Sequence, residues 1–171
     1  MMQPLKTAHK YRTWGFLLLA FAACNHKPAT TVDKIENLKK QVENDAKAWQ
    51  DLEEKDYPNL SSSFRFCDSI LQYMDSTQWN KHFQQLNLTN AYLQQFANLK
   101  GEMHQKMAYS LTQLDHLKAD TQSQYISDSI ALVYLDTETK VADTLHSRVL
   151  YFQDRFANCQ KELTRIKKDR R

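Results

Sequence analysis

The sequence predicts an all-α fold, an elongated antiparallel bundle of three to four long amphipathic helices, and three observations predict it. Glycine is nearly absent: the 171 residues hold only Gly15 and Gly101. Proline is almost as scarce, with Pro4, Pro28 and Pro58. Sheets and α/β folds turn through Gly, Pro and Asn-Gly pairs, and this chain cannot supply them. Finally, apolar residues recur at spacings of three and four along most of the length, which is the helical period.

The elements follow in order. Thr30 with Asp33 makes a capping box, each side chain satisfying a backbone N–H at a helix start. The first helix carries Ile35, Leu38, Val42, Trp49 and Leu52 on one face, with Asp45 on the same stripe and Ala46 beside it. A slight rotation that turns Ala46 inward is expected, since a carboxylate is costly to bury. Tyr57-Pro58-Asn59 is expected to end this helix, because the residue before proline avoids the helical region. Ser61-Ser62-Ser63 opens a second helix as capping residues, and Leu60, Phe64, Cys67, Leu71 and Met74 form its apolar face. Between Asp75 and Asn87 the pattern is less regular, although Trp79, Phe83 and Leu86 keep helical spacing. Thr89 is then expected to cap a third helix, with Leu88 and Leu93 as a hydrophobic staple. That helix runs through Tyr92, Phe96, Leu99, Met103, Met107, Leu111, Leu114 and Leu117. Gly101 inside it is read as a close-packing point or a soft bend. Thr121 with Gln124 forms a second capping box, opening a last helix. Its face is Ile126, Ile130, Val133, Val141, Leu145, Val149, Phe152, Phe156, Cys159, Leu163 and Ile166. This helix is either continuous over ~45 residues, roughly 68 Å, or interrupted at Asp136 to Thr139. The chain shows no internal repeat and no low-complexity tract, and residues 30–171 suit one domain.

The N-terminus carries a different message. Lys6, Lys10 and Arg12 precede the apolar run Trp14 to Ala23, and Ala22 and Ala23 stand directly before Cys24. The run is about half the ~20 residues needed to cross a bilayer, so it reads as a signal peptide. Residues 1–23 resemble the leader and lipobox of bacterial lipoproteins, with Phe21 where that family usually has Leu. The resemblance implies cleavage before Cys24, lipidation of Cys24 and a tether of residues 24–29. Asn25 after the lipidated cysteine, where an Asp would imply inner-membrane retention, points to the outer membrane by the same resemblance. Three of the 23 basic residues and none of the 20 acidic ones precede Cys24, which leaves twenty of each in the mature chain. With no basic patch interleaved with aromatics, nucleic-acid binding is not expected.

Little else points to chemistry. Among His26, His82, His104, His116 and His146 there is no helical His pair at the spacing of zinc sites. Met103, His104 and Met107 offer soft ligands, but the methionines fall on the core stripe and His104 beside it. Asp115 and His116 are neighbours and diverge by about 100° on a helix, and no glycine-rich loop exists to cradle phosphate. No catalytic residue, metal site or cofactor is expected, and the chain is read as a non-enzyme. Cys67 and Cys159 both fall on core stripes. A turn expected near residues 82–87 would separate them by at least ~20 Å along the bundle, which favours free thiols over a disulfide.

Two surface features remain. Arg165, Lys167, Lys168, Arg170 and Arg171 complement the negative end of the last helix, or dock on anionic headgroups or an acidic partner. The first helix carries an acidic excess in Glu36, Glu43, Asp51, Glu53, Glu54 and Asp56, which makes head-to-tail self-association conceivable. Ser69, Ser76, Ser129 and Thr144 each follow an Asp and precede Ile, Thr or Leu. The pattern resembles the O-glycosylation sequon of exported proteins in one large group of Gram-negative anaerobes and their relatives. The whole chain resembles the small all-helical lipoproteins of unknown function found in such bacteria. The resemblance implies an envelope protein, membrane-bound through Cys24, and brings no activity with it. The leader, the long amphipathic helices and the absence of site chemistry together lead to the expectation of a scaffold, spacer or partner-binding module. The alternative is a small-molecule or lipid carrier with a cavity between helices, lined by Trp49, Trp79, Phe64, Phe96, Phe152 and Phe156.

Overall fold

A computed structural model describes residues 29–169, and every regular element among them is helical. Helix α1 (Thr31–Asp51), a π-helical turn (Leu52–Asp56) and α2 (Tyr57–Leu71) form one continuous rod. Helices α3 (Ser76–Gln122) and α4 (Asp128–Asp169) are the other two rods of an all-α bundle. The leader, Cys24, Arg170 and Arg171 lie outside the described residues.

Cross-helix pairs fix the topology. Lys39 reaches Asp115 at 2.6 Å near the start of α1, while His104 reaches Glu53 at 2.6 Å near its end, so α3 runs antiparallel to the first rod. Ser110 with Glu138 and Arg148 with Glu102 set α4 antiparallel to α3. His146 meets Asp45 and Gln160 meets Ser63, so α4 runs parallel to the first rod. Thr31 and the α3–α4 turn therefore share one end of the bundle. The α2–α3 turn and Asp169 share the other, about 60 Å away at 1.5 Å per residue.

The Thr30–Asp33 capping box forms as expected: the Asp33 N–H donates to Thr30 Oγ1 (3.2 Å) and the Thr30 N–H to Asp33 Oδ2 (2.9 Å). Proline 58 does not end the first helix. Tyr57 N–H instead bonds the Leu52 carbonyl, five residues back, and α2 continues through Pro58. In an unbroken α-helix the proline ring would strike the carbonyl four residues earlier; a π-turn relieves that crowding and inserts one extra residue. The apolar stripe carries the same insertion. Its inward positions step by three and four from Ile35 to Leu52, jump five to Tyr57, and resume through Leu60, Phe64, Cys67 and Leu71.

Other boundaries move for equally local reasons. Ser61–Ser63 lie inside α2 rather than capping it. The turn to α3 is short: Asp75 caps it, its carboxylate accepting from the N–H groups of Thr77 and Gln78, both at 2.9 Å. The stretch to Asn87 is therefore helical, and Thr89 is no cap but a buried residue whose hydroxyl donates to the Gln85 carbonyl. Leu88 is exposed and forms no staple. Gly101 is exposed, with nothing within 4 Å of where a Cβ would stand, so it is not a close-packing point. The second capping box also fails. Thr121 ends α3, donating to the Leu117 carbonyl, and Gln124 adopts φ 58° in the following turn. There the Tyr125 N–H reaches the Asp120 carbonyl and the Gln124 N–H the Thr121 carbonyl, a Schellman ending. Ile126 belongs to this turn.

Helix α4 is unbroken through Asp136 to Thr139. Thr137 and Thr139 fold their hydroxyls back onto the Val133 and Leu135 carbonyls instead of breaking the helix. Leu145, Val149, Phe152, Phe156, Cys159, Leu163 and Ile166 are buried as expected. The first turns differ: Ala131, Leu135 and Ala142 face the core, while Ile130, Val133 and Val141 face solvent. A continuous helix has one phase, and the seven bulky positions from 145 to 166 set it, leaving the aliphatics upstream on the outside.

Candidate functional site

The most unusual feature of the interior is a polar layer about a third of the way along the first rod. Asp45 is only 5% exposed, against the expected outward rotation. The stripe that buries Val42 and Trp49 has no freedom to turn between them, so Asp45 goes in with its neighbours. Its Oδ1 lies 2.8 Å from His146 Nδ1 on α4, half-exposed at the bundle surface. Asp45 was legible as a polar break in the stripe; His146 was not, because the register between α1 and α4 follows from tertiary packing. Below this layer an aromatic cluster fills the core. Trp49 lies 4.7 Å from Phe96 and 5.6 Å from Phe152 between ring centroids, and Phe96 lies 5.1 Å from Phe156. The interior aromatics proposed as a cavity lining thus pack on one another, Phe64 is half-buried against the core, and Trp79 stands at the surface stacked on Phe83. Open space lies outside the core instead. A groove of about 560 Å³ beside the π-turn is polar, with Asp56, Asn59, Ser62 and Gln160 among its walls. One of about 680 Å³ between α3 and α4 has Tyr109, Val141 and Leu145 with Lys106, Lys140 and Arg148 around them.

Two of the basic residues at the end of α4 are already engaged. Arg165 pairs with Glu162 at 2.9 Å, and Lys167 donates to Ser63 Oγ at 3.1 Å with its ammonium over the Phe66 ring. Lys168 is exposed. Next to them Asp169 accepts from Lys81 and lies 3.2 Å from the buried His82 ring, contacts that hold its carboxyl below the usual aspartate range, Lys81 most of all. The acidic side of α1 is engaged too. The His104 bond and then Lys100 lower Glu53, and the Lys118 bond lowers Glu36. Glu36, Glu53 and Arg165 are thus matched within the bundle, which weakens the motive for head-to-tail association.

Cys67 and Cys159 are buried free thiols, and burial pushes both up from the ordinary thiol value. The expected wide separation is corrected. Cys67 Sγ lies 3.4 Å from the Leu163 carbonyl, one turn of α4 beyond Cys159, because the α2–α3 turn sits at residues 72–75 and not at 82–87. Ser69, Ser76, Ser129 and Thr144 are all exposed on helices: Ser69 and Ser76 flank the α2–α3 turn, Ser129 opens α4, and Thr144 borders the apolar groove. Met103 and Met107 are buried while His104 is exposed on Glu53, so the three do not converge. Among the described residues no His, Cys, Asp and Glu cluster could hold a metal ion, and no helix is long and apolar enough to cross a membrane. No family model, curated protein or solved structure matches the chain.

Proposed function

We propose that this chain is a lipid-anchored, non-enzymatic protein of the bacterial cell envelope, held at the outer membrane through Cys24 and serving as a spacer or scaffold that presents a helical surface to a partner. The observation that carries this reading is the position of Thr31 at one end of a rod about 60 Å long, a few residues after the lipobox-like Ala22-Ala23-Cys24. A tether at one tip makes length itself useful, and several acyl chains on one cysteine would hold firmly where a single chain would not. The test is the intact mass of protein extracted from membranes of its native host, followed by crosslinking. A mass of Cys24 to Arg171 plus acyl chains, with a specific envelope protein captured, supports the proposal. An unmodified chain beginning at Met1 removes the anchor, and hexose-sized increments assign the serine and threonine sequons.

The apolar groove between α3 and α4 favours one second reading, a carrier for an amphipathic anion. Its Tyr109, Val141 and Leu145 suit a hydrocarbon chain and its Lys106, Lys140 and Arg148 a headgroup. Native mass spectrometry separates the two, since a co-purifying lipid mass favours the carrier.

A further inference from the structure

The α3–α4 end of the bundle leaves large apolar side chains in solvent where the core could have used them. Tyr125 in the turn is 82% exposed, and Ile130, Val133 and Tyr134 in the first two turns of α4 are 48%, 67% and 56% exposed. At 100° per residue the last three share one outward face, and the core behind them is served by the small Ala131. The same end is where α1 begins. Cys24 precedes Thr30 by six residues, which at full extension reach only about 20 Å.

We infer that this end is the membrane seat of the protein: Tyr125, Ile130, Val133 and Tyr134 rest in the headgroup and upper acyl region of a bilayer. The inference rests on the anchor at Cys24. An acyl group there holds Thr30, at the same end as the patch, within ~20 Å of the lipid surface and raises the effective concentration of the patch, so a contact too weak to bind alone is realised. Tyrosine suits such a depth, with its ring in the apolar layer and its hydroxyl among the headgroups. A second copy of the chain is a poorer occupant, because a stable protein interface needs about 20–30 residues a side. Charge does not drive the contact. Asp120, Asp128 and Asp136 flank the patch, Asp136 paired with Lys140, while Lys118 is held by Glu36 and Lys34 stands on the first turn of α1. The seat therefore takes zwitterionic lipid and is insensitive to salt. It stands the rod on end and carries the basic end of α4, with its exposed Lys168, about 60 Å from the anchoring bilayer and away from its headgroups.

The test uses the full-length precursor, expressed in a bacterium that processes lipoproteins, extracted from membranes, checked by intact mass and reconstituted into phosphatidylcholine vesicles, with and without phosphatidylglycerol, carrying brominated chains. Tyr134→Trp in a Trp79→Phe background, read after subtracting the core Trp49 emission measured in Trp79→Phe alone, reports on the seat, and Trp79 in the parent, corrected the same way, reports on the opposite end. Acylated protein should show clear loss of the Tyr134→Trp emission, as expected of a ring at interface depth. The Trp79 emission should not change, and both results should persist in high salt. Adding Ile130→Asp and Val133→Asp, both at exposed positions, should abolish the quenching while the helical signal stays. Acylated, vesicle-bound protein with unquenched Tyr134→Trp overturns the seat and leaves the anchor. Quenching of Trp79 instead, dependent on anionic lipid and lost in salt, assigns the contact to the basic end and also overturns the seat. A mass with no acyl group on Cys24 fails the anchor, and the seat falls with it.

Discussion

Asp45 and His146 are the pair whose removal is most informative. Buried donors and acceptors cost most when one partner is deleted and the other stays. His146→Ala strands the Asp45 carboxylate among Val42 and Trp49 and should destabilise the bundle by about 1–3 kcal/mol. Asp45→Leu replaces the carboxylate with the residue type its stripe calls for and should be neutral or stabilising, as with other buried pairs exchanged for apolar groups. Urea midpoints of the two variants decide the matter: equal losses from both would mean that the pair contributes net stability. The thiols make a second residue-scale prediction. Burial keeps Cys67 and Cys159 protonated and screened from solvent. A thiol reagent should therefore modify neither in the native protein at neutral pH, and both after unfolding. Rapid native labelling of either would show that the α2–α4 seam opens.

At the scale of the element, the π-turn and Pro58 form one device. Deleting Lys55 removes the extra residue and turns Leu52–Tyr57 into an ordinary four-residue step, which keeps the stripe in phase. It also places Pro58 inside an uninterrupted α-helix, where proline costs about 3 kcal/mol. The deletion alone should lower stability by about that amount, and adding Pro58→Ala should return most of it. Thermal melts of the two variants measure the coupling, and a deletion as harmful without the proline as with it would break the link. The α3–α4 turn offers the converse. Gln124 holds φ 58° at the position where Schellman endings usually have glycine. Gln124→Gly should raise stability by up to about 1 kcal/mol, because a left-handed residue with a Cβ costs roughly 1–2 kcal/mol and glycine returns part of that as unfolded-state entropy.

For the whole molecule, surface carboxylates tie the rods together. Glu36 through Lys118, Glu53 through His104 and Lys100, and Glu102 through Lys106 on its own helix and then Arg148 on α4 are all held below the ordinary glutamate value of 4.5. Asp169 does so below 3.8. A lowered folded value means that the unfolded chain binds the proton more readily. The stabilisation is thus present above about pH 4.5 and is lost as pH falls through the lower folded values. The melting temperature should decline from about pH 4.5 downward, less steeply at 1 M salt, where exposed pairs are screened. A flat profile to pH 3 would show that these pairs add nothing measurable.

Much of this fold was legible in the residues, and the misses have common causes. The first cap, the core stripe from Leu145 to Ile166 and the inward Trp49, Phe96 and Phe152 follow from local pattern. Pro58 misled because proline ends most helices; the five-residue step from Leu52 to Tyr57 was the sign that here it sits beside a π-turn. Thr89 and Thr121 looked like caps because a threonine hydroxyl serves the backbone equally well from inside a helix, bonding the carbonyl four residues back. Of the candidate sites, Cys24 and the serine and threonine sequons are proposed from local sequence pattern alone. The Asp45–His146 pair and the apolar end cannot be read that way.

The sequence by itself determined that the chain is helical, that its rods are long and that one stripe of each is apolar, since period, caps and the scarcity of glycine are local properties. The tertiary structure decided where the rods turn, which residues meet across them and which apolar side chains are left outside. Those depend on register between helices, and register is set by packing the whole stripe at once. One rod advanced by a π-turn and one phase imposed along the full length of α4 together bury Asp45 and leave Ile130, Val133 and Tyr134 in solvent.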